Sequence, residues 1–97
     1  MSTTWTFTEP QATVAITSQR VIRDGAPILF ATHAIEDGTW LFLDARLIDA
    51  EDEITVELGT LARHDPTILD LARLPLGWHA RRRSVAEPWI SYPGCGS

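Results

Sequence analysis

The side chains that could support acid–base or metal chemistry are scattered through this chain. The three histidines, His33, His64 and His79, are far apart and show none of the paired spacings typical of a zinc site. His64 and Asp65 are adjacent, but neighbouring residues do not face each other on a helix, so Asp65 is better explained as a helix cap. The histidines therefore predict no metal site and no general base, and ordinary surface or half-buried positions are the favoured interpretation.

Nucleophilic and phosphate-binding motifs are also missing from the sequence. It contains neither the Gly-x-Ser-x-Gly pattern of hydrolases nor a glycine-rich phosphate loop. Cys95 stands between two glycines, without the fixed basic neighbour that an activated thiolate needs. The acidic residues Asp49, Glu51, Asp52 and Glu53 superficially resemble a cation loop, but the glycine and the spaced terminal glutamate of an EF-hand are missing. We therefore expect a protein that is not an enzyme and that holds no cofactor and no metal.

Tryptophan and arginine offer a further candidate surface. Trp40, Trp78 and Trp89 could form a binding platform, although tryptophan in so small a domain belongs more often to the core or its edge. Three consecutive arginines at 81–83 could bind an anion. Because side chains alternate along a strand, Arg82 should point away from its two neighbours, so only two of the three can share a face.

Composition limits the class of protein. The chain has 97 residues, of which 44% are hydrophobic and 22% charged, as expected for one folded domain. It has one cysteine, and no apolar stretch approaches the roughly 18–20 residues that span a bilayer. We therefore expect a cytoplasmic protein without a membrane segment. The net charge of −5 argues against nucleic-acid binding, which needs clustered positive charge.

Turn and cap signals predict a single small α+β domain. We expect an antiparallel sheet with two short consecutive helices packed on one side. Residues 1–11 should form an N-terminal arm, 12–90 the α+β domain, and 91–97 a flexible C-terminal tail. The expected strands cover 12–17, 27–35, 39–44, 54–58 and 77–83, and the expected helical turns cover 18–23 and 59–63, with another after residue 65. The residues expected to hold this fold together are Asp65, Pro66, Gly77, Trp78 and Trp89.

The Asp37-Gly38 pair predicts a tight hairpin with a defined register. Pairing Glu36 with Thr39 would place Ile35 opposite Trp40. His33 would then lie opposite Phe42. Both faces of this hairpin are largely apolar, so both must be covered. Helices could cover one face, and the N-terminal arm, a second copy of the chain or a partner protein could cover the other.

Charge is unevenly distributed along the chain. Residues 36–57 contain eight carboxylates and one arginine, whereas residues 73–83 contain four arginines and no carboxylate. The simpler interpretation is two solvated surfaces that attract each other. The alternative is a binding site for a basic protein, to which we assign the following candidate residues: Asp49, Glu51, Asp52, Glu53, Trp40 and Phe42.

Several short motifs, in this order and spacing, resemble the Imm33 family, formerly a domain of unknown function (DUF2185). They are Ser-Gln-Arg-Val at 18–21, Gly-Thr-Trp-Leu-Phe at 38–42, Leu-Gly at 58–59, Asp-Pro-Thr-Ile-Leu at 65–69, Leu-Pro-Leu-Gly at 74–77 and the arginine after Ala80. The sequence departs from the family at Asp44-Ala45-Arg46, where a glycine followed by further acidic residues is expected.

The resemblance implies an α+β immunity protein that neutralises a bacterial toxin, without catalytic residues. The expected partner is a cognate protein toxin with a basic surface, and a homodimer is left open. The alternative is a small-ligand or regulatory accessory domain that binds near Trp40, Trp78 and the arginines.

Overall fold

A computed structural model describes residues 5–44 and 51–94. The described residues form one α+β domain built on a six-stranded sheet. Within these ranges, no helix is long and apolar enough to cross a membrane. The elements in chain order are β1 (Val14–Ser18), α1 (Gln19–Arg23), β2 (Phe30–His33), β3 (Trp40–Leu43), β4 (Glu53–Glu57), α2 (Leu58–His64), a 3-10 helix (Pro66–Leu71), β5 (Trp78–Arg81) and β6 (Ile90–Pro93).

The sheet is mixed, so the prediction of an antiparallel sheet is wrong in one pairing. The strand order is β4-β1-β3-β2-β5-β6, and β1 pairs with β3 in parallel through Ile16 and Leu41. The cause is α1, which carries the chain past one strand position before β2 begins. The hairpin then returns β3 into the gap beside β1. All other strand pairs are antiparallel.

Helix α1 begins where the sequence predicts. The Ser18 hydroxyl accepts a hydrogen bond from the Val21 amide at 3.4 Å, which caps the helix. At the other end, the Asp24 amide donates to the Arg20 carbonyl, and Gly25 follows at φ 69°. This short helix buries Val21 and positions Arg20 at the end of the sheet.

The β2–β3 hairpin has a wider turn than predicted. His33, rather than Ile35, lies opposite Trp40, and Ala31 lies opposite Phe42. The Ala34 amide donates to the Thr39 carbonyl at 2.8 Å, so residues 35–38 form the turn in place of Asp37 and Gly38 alone. A shift of two residues keeps every side chain on its predicted face.

Asp37 shapes this turn from its exposed side. Its carboxylate accepts a hydrogen bond from the Thr39 amide at 3.0 Å, and hydrogen bonding from Thr39 holds the pKa of Asp37 below its ordinary value.

One face of the sheet, here called the first face, carries the core. Helix α2 and the 3-10 helix pack against it, which confirms two consecutive helices on one side. Asp65 caps the second helix by accepting from the Thr67 amide at 3.0 Å, and Pro66 occupies its first turn. The buried hydrophobic residues of this core are Phe7, Ala15, Val21, Ile28, Ala31, Trp40, Phe42, Leu58, Leu61, Ile68, Leu69, Leu71, Leu74 and Ala80.

Described parts of the predicted arm and of the predicted tail belong to the folded domain. Phe7, in the predicted arm, is 5% exposed, and its ring meets Trp40 edge-on at 5.1 Å between centroids. At the other end, β6 includes Ser91 and Tyr92, which were assigned to the flexible tail. Its pairing with β5 gives those residues backbone partners that the turn-rich sequence does not reveal.

Candidate protein-binding face

Trp40 and Phe42 are core residues, and their assignment to a partner-binding surface is wrong. Trp40 is 1% exposed and Phe42 is fully buried. The two rings stack 5.8 Å apart, and the His33 ring stacks on Trp40 at 3.9 Å. Because their strand positions face α2, the 3-10 helix and the arm, neither side chain can reach a partner.

Hydrogen bonding holds the His33 ring in place against Trp40. The Nδ1 of His33 lies 2.8 Å from the Leu74 carbonyl, which can only accept, so that nitrogen carries the proton. Its Nε2 lies 3.8 Å from a Glu9 carboxylate oxygen, and that oxygen accepts from the Trp40 indole at 2.8 Å. Glu9 thus fastens the arm to the first face.

Arg82 forms the most extensive polar cluster of the core. Its side chain is 1% exposed, and Nη2 pairs with Oδ2 of Asp65. Its nitrogens also donate to the Ile28 carbonyl at 2.8 and 3.0 Å and to the Thr67 hydroxyl at 2.8 Å. The guanidinium lies 4.2 Å from the Trp89 ring centroid. The strand alternation predicted that Arg82 points away from Arg81 and Arg83, but the ion pair with Asp65 was missed.

Of the remaining predicted structural residues, Trp89 borders this cluster, whereas Gly77 and Trp78 lie at the opposite end of β5. Gly77 adopts φ 82°, a conformation that favours glycine, and Trp78 is half-buried against the core. Trp89 is also half-buried, and its indole nitrogen is buried without a hydrogen-bond partner among the described residues. A cavity of about 530 Å³ lies beside Trp89 and the 3-10 helix, and Arg82 lines it.

The opposite side of the sheet, here called the second face, is the open one. Strand register places one row of side chains across all six strands, and every member of that row is at least partly exposed. In sheet order the row is Thr55, Ile16, Leu41, Thr32, His79 and Tyr92. Towards the end of the sheet near α1, exposure falls, and Leu43 on this face is 6% exposed. The sequence prediction of a hairpin that is apolar on both faces is confirmed for this side by Leu41 and Phe30.

One edge of the second face is acidic. Glu53 and Glu57 on β4 point to this face and are exposed, and Glu51 is exposed just before the strand. We call these three residues the acidic edge. Asp52 is different, because it pairs with Nη1 of Arg20 at 3.0 Å. Asp49 lies outside the described residues.

The other edge is aromatic and basic. The rings of Phe30 and His79 stack at 5.6 Å, and His79 lies 5.4 Å from Tyr92. His79 Nδ1 shares a hydrogen bond of 2.8 Å with the Thr32 hydroxyl. Arg81 is exposed and lies 5.7 Å from the centre of the Tyr92 ring. The second face therefore changes from carboxylates at β4, through aliphatic side chains, to aromatic and cationic groups at β5 and β6.

Within residues 5–44 and 51–94, no group of three or more His, Cys, Asp or Glu side chains converges to hold a metal ion. Arg82 and Asp65 pair with each other, and the exposed charges of the second face lie towards opposite edges of the sheet. No protein-family model, curated protein or solved structure matches the chain.

Proposed function

We propose that this chain is a non-enzymatic, cytoplasmic protein-binding domain that holds a basic protein partner on its acidic edge. The observation that carries the proposal is the exposure of three carboxylates, Glu51, Glu53 and Glu57, on and beside an edge strand. None of the three forms an ion pair with another described residue. The resemblance to toxin-neutralising immunity proteins supplies the kind of partner, which is a cognate toxin with a basic surface.

Exposed carboxylates of this kind act mainly on the rate of encounter. Complementary surface charge raises the association rate and is screened by salt, because the Debye length falls to about 8 Å at physiological ionic strength. Neutralising such groups changes folding stability little, since exposed charges contribute little to it. Binding can therefore be changed at the acidic edge without disturbing the core.

The geometry gives less support to the alternative, a small-ligand or regulatory domain near Trp40, Trp78 and the arginines. Trp40 is buried, and the Arg82 guanidinium is already bound to Asp65, Thr67 and Ile28. A ligand would have to displace those contacts.

The test is the association rate with the protein encoded beside this gene, measured by surface capture at low and high salt. The test variant changes Glu51, Glu53 and Glu57 to glutamine. The matched control makes the same change in charge at exposed carboxylates elsewhere: Glu36→Gln, Asp70→Asn and Glu87→Gln. At low salt we expect association of the test variant to slow about tenfold and the control to change little, since the local field determines the encounter rate. Equal rates for the chain and both variants would refute the proposal.

A further inference from the structure

The second face carries opposite charges that cannot meet within one chain. Glu53 on β4 and Arg81 on β5 belong to the same row, through the pairings of β4 with β1, β1 with β3, β3 with β2 and β2 with β5. Four strand spacings separate them, about 19 Å at roughly 4.8 Å each. Neither forms an ion pair with another described residue. Both side chains are exposed and so are free to pair with another molecule.

We infer that a second copy of this chain occupies the second face, in a two-fold symmetric, face-to-face dimer. A two-fold axis parallel to the strands places β4 opposite β6 of the second copy. Glu53 is then offset sideways from Arg81 of the second copy by one strand spacing, about 4.8 Å, and the two packed sheets lie about 10 Å apart. The two backbones are therefore about 11 Å apart, a gap that extended glutamate and arginine side chains span together. The symmetry forms this contact twice.

Charge selects this orientation over the other face-to-face arrangement. A two-fold axis across the strands would place β4 on β4 of the second copy. Glu53 and Glu57 would then meet the same carboxylates, and opposed like charges disfavour an interface. A uniformly basic partner would complement only one edge of the second face, whereas a second copy complements both edges.

The middle of the face supplies the apolar contact. Ile16, Leu41 and Phe30 are partly exposed, and Val14 and Ile90, at the margins of the face, are each 57% exposed. In the dimer the aliphatic residues of β3 lie on Phe30 and Thr32 in β2 of the second copy, and those of β1 lie on His79 in its β5. Sheets packed in this way lie about 10 Å apart and cross at about 30°.

The size of the face limits the strength of the dimer. Six strands of about five residues cover roughly 29 by 17 Å, so two copies bury on the order of 1,000 Å². This is the lower end of the range for specific interfaces, where complexes are weak and concentration-dependent. We expect a dissociation constant in the micromolar range or weaker.

The test is sedimentation equilibrium of the chain alone over a wide concentration range at low salt. We expect reversible dimerisation, weakened about tenfold or more by Glu53→Arg and equally by Arg81→Glu. The double variant carrying both substitutions should recover the dimer, because the two charges exchange places. Glu36→Arg, an equal change at an exposed turn residue outside the sheet, should leave the dimer intact. Thermal unfolding of each variant verifies that it is folded.

Three results would overturn the inference. They are a monomer at every concentration, a dimer that ignores both single substitutions, and a double variant that stays as weak as the single variants. The experiment needs no partner protein, so its failure is separate from failure of the proposed function. Glu53 belongs to both surfaces, so a second copy and a basic partner should compete for it.

Discussion

Replacing Asp65 with alanine should be among the most damaging single changes in this chain, because Asp65 supports two structures at once. Its Oδ1 caps the 3-10 helix through the Thr67 amide at 3.0 Å, and its Oδ2 pairs with the buried guanidinium of Arg82. The cap alone contributes about 1 kcal/mol. Removing one partner of a buried ion pair costs about 3–5 kcal/mol, since the other charge stays buried without compensation.

For the broken ion pair we take about 3 kcal/mol, the lower end of the 3–5 kcal/mol range, and the lost cap adds about 1 kcal/mol. After Asp65→Ala, Arg82 would keep its bonds to the Ile28 carbonyl and the Thr67 hydroxyl and its contact with Trp89. We therefore expect the free energy of unfolding to fall by about 4 kcal/mol, a large part of the roughly 5–15 kcal/mol typical of a domain. Asp70→Ala, at an exposed carboxylate on the same helix, is the matched control and should cost no more than about 0.5 kcal/mol.

Urea denaturation at constant m-value measures these differences. A double-mutant cycle with Arg82→Met isolates the pair, and the double variant should cost about 2 kcal/mol less than the sum of the single variants. A loss of only about 1 kcal/mol for Asp65→Ala would show that the cap is its whole contribution. The account of a stabilising buried pair would then be wrong.

Three further predictions concern the core and its two ends. Phe7→Ala should lower the free energy of unfolding by about 3 kcal/mol, because Phe7 is 5% exposed against Trp40, whereas the exposed neighbour Thr8→Ala should change it little. If chemical denaturation shows both variants to be equally stable, the arm does not belong to the fold. Gly94→Ala should cost about 1–3 kcal/mol, because the added Cβ would collide with the Gly77 carbonyl oxygen and lie 2.9 Å from His79 Nε2. An unchanged thermal midpoint would place β6 elsewhere. Iodide should quench the fluorescence of the half-buried Trp5, Trp78 and Trp89 but not that of the buried Trp40. Trp40→Phe should therefore remove the fraction of the fluorescence that iodide does not quench. An unquenched fraction that survives this substitution would contradict the burial of Trp40.

Local signals in the sequence predicted the features that depend on neighbouring residues. The Ser18 and Asp65 caps and the opposite directions of Arg81 and Arg82 depend on residues within a few positions, and the structure confirms each one. The faces of the hairpin also follow from alternation alone. Its exact register does not, because turns of different width leave the same faces in place.

Features that depend on distant residues could not be predicted in this way. Nothing in the residues near Ile16 shows that it pairs in parallel with Leu41, and nothing near Ser91 shows that β5 will accept another strand. Trp40 and Phe42 were assigned to two roles, core and partner surface, because an apolar strand does not reveal what covers it. The covering group includes Phe7, whose place in a polar arm carries no core signal. Likewise, nothing in the sequence near Asp52 shows that α1 positions Arg20 beside it in an ion pair.

The most direct test of the central claim, that the acidic edge binds a toxin, is growth of cells that express the neighbouring gene together with this chain. Three forms of the chain are compared: the natural sequence, a variant with Glu51, Glu53 and Glu57 changed to arginine, and a control with Glu36, Asp70 and Glu87 changed to arginine. We predict that the natural chain and the control restore growth and that the acidic-edge variant, although folded, does not, because reversed charge repels a basic partner. Equal protection by all three forms, or protection by none, would contradict the account.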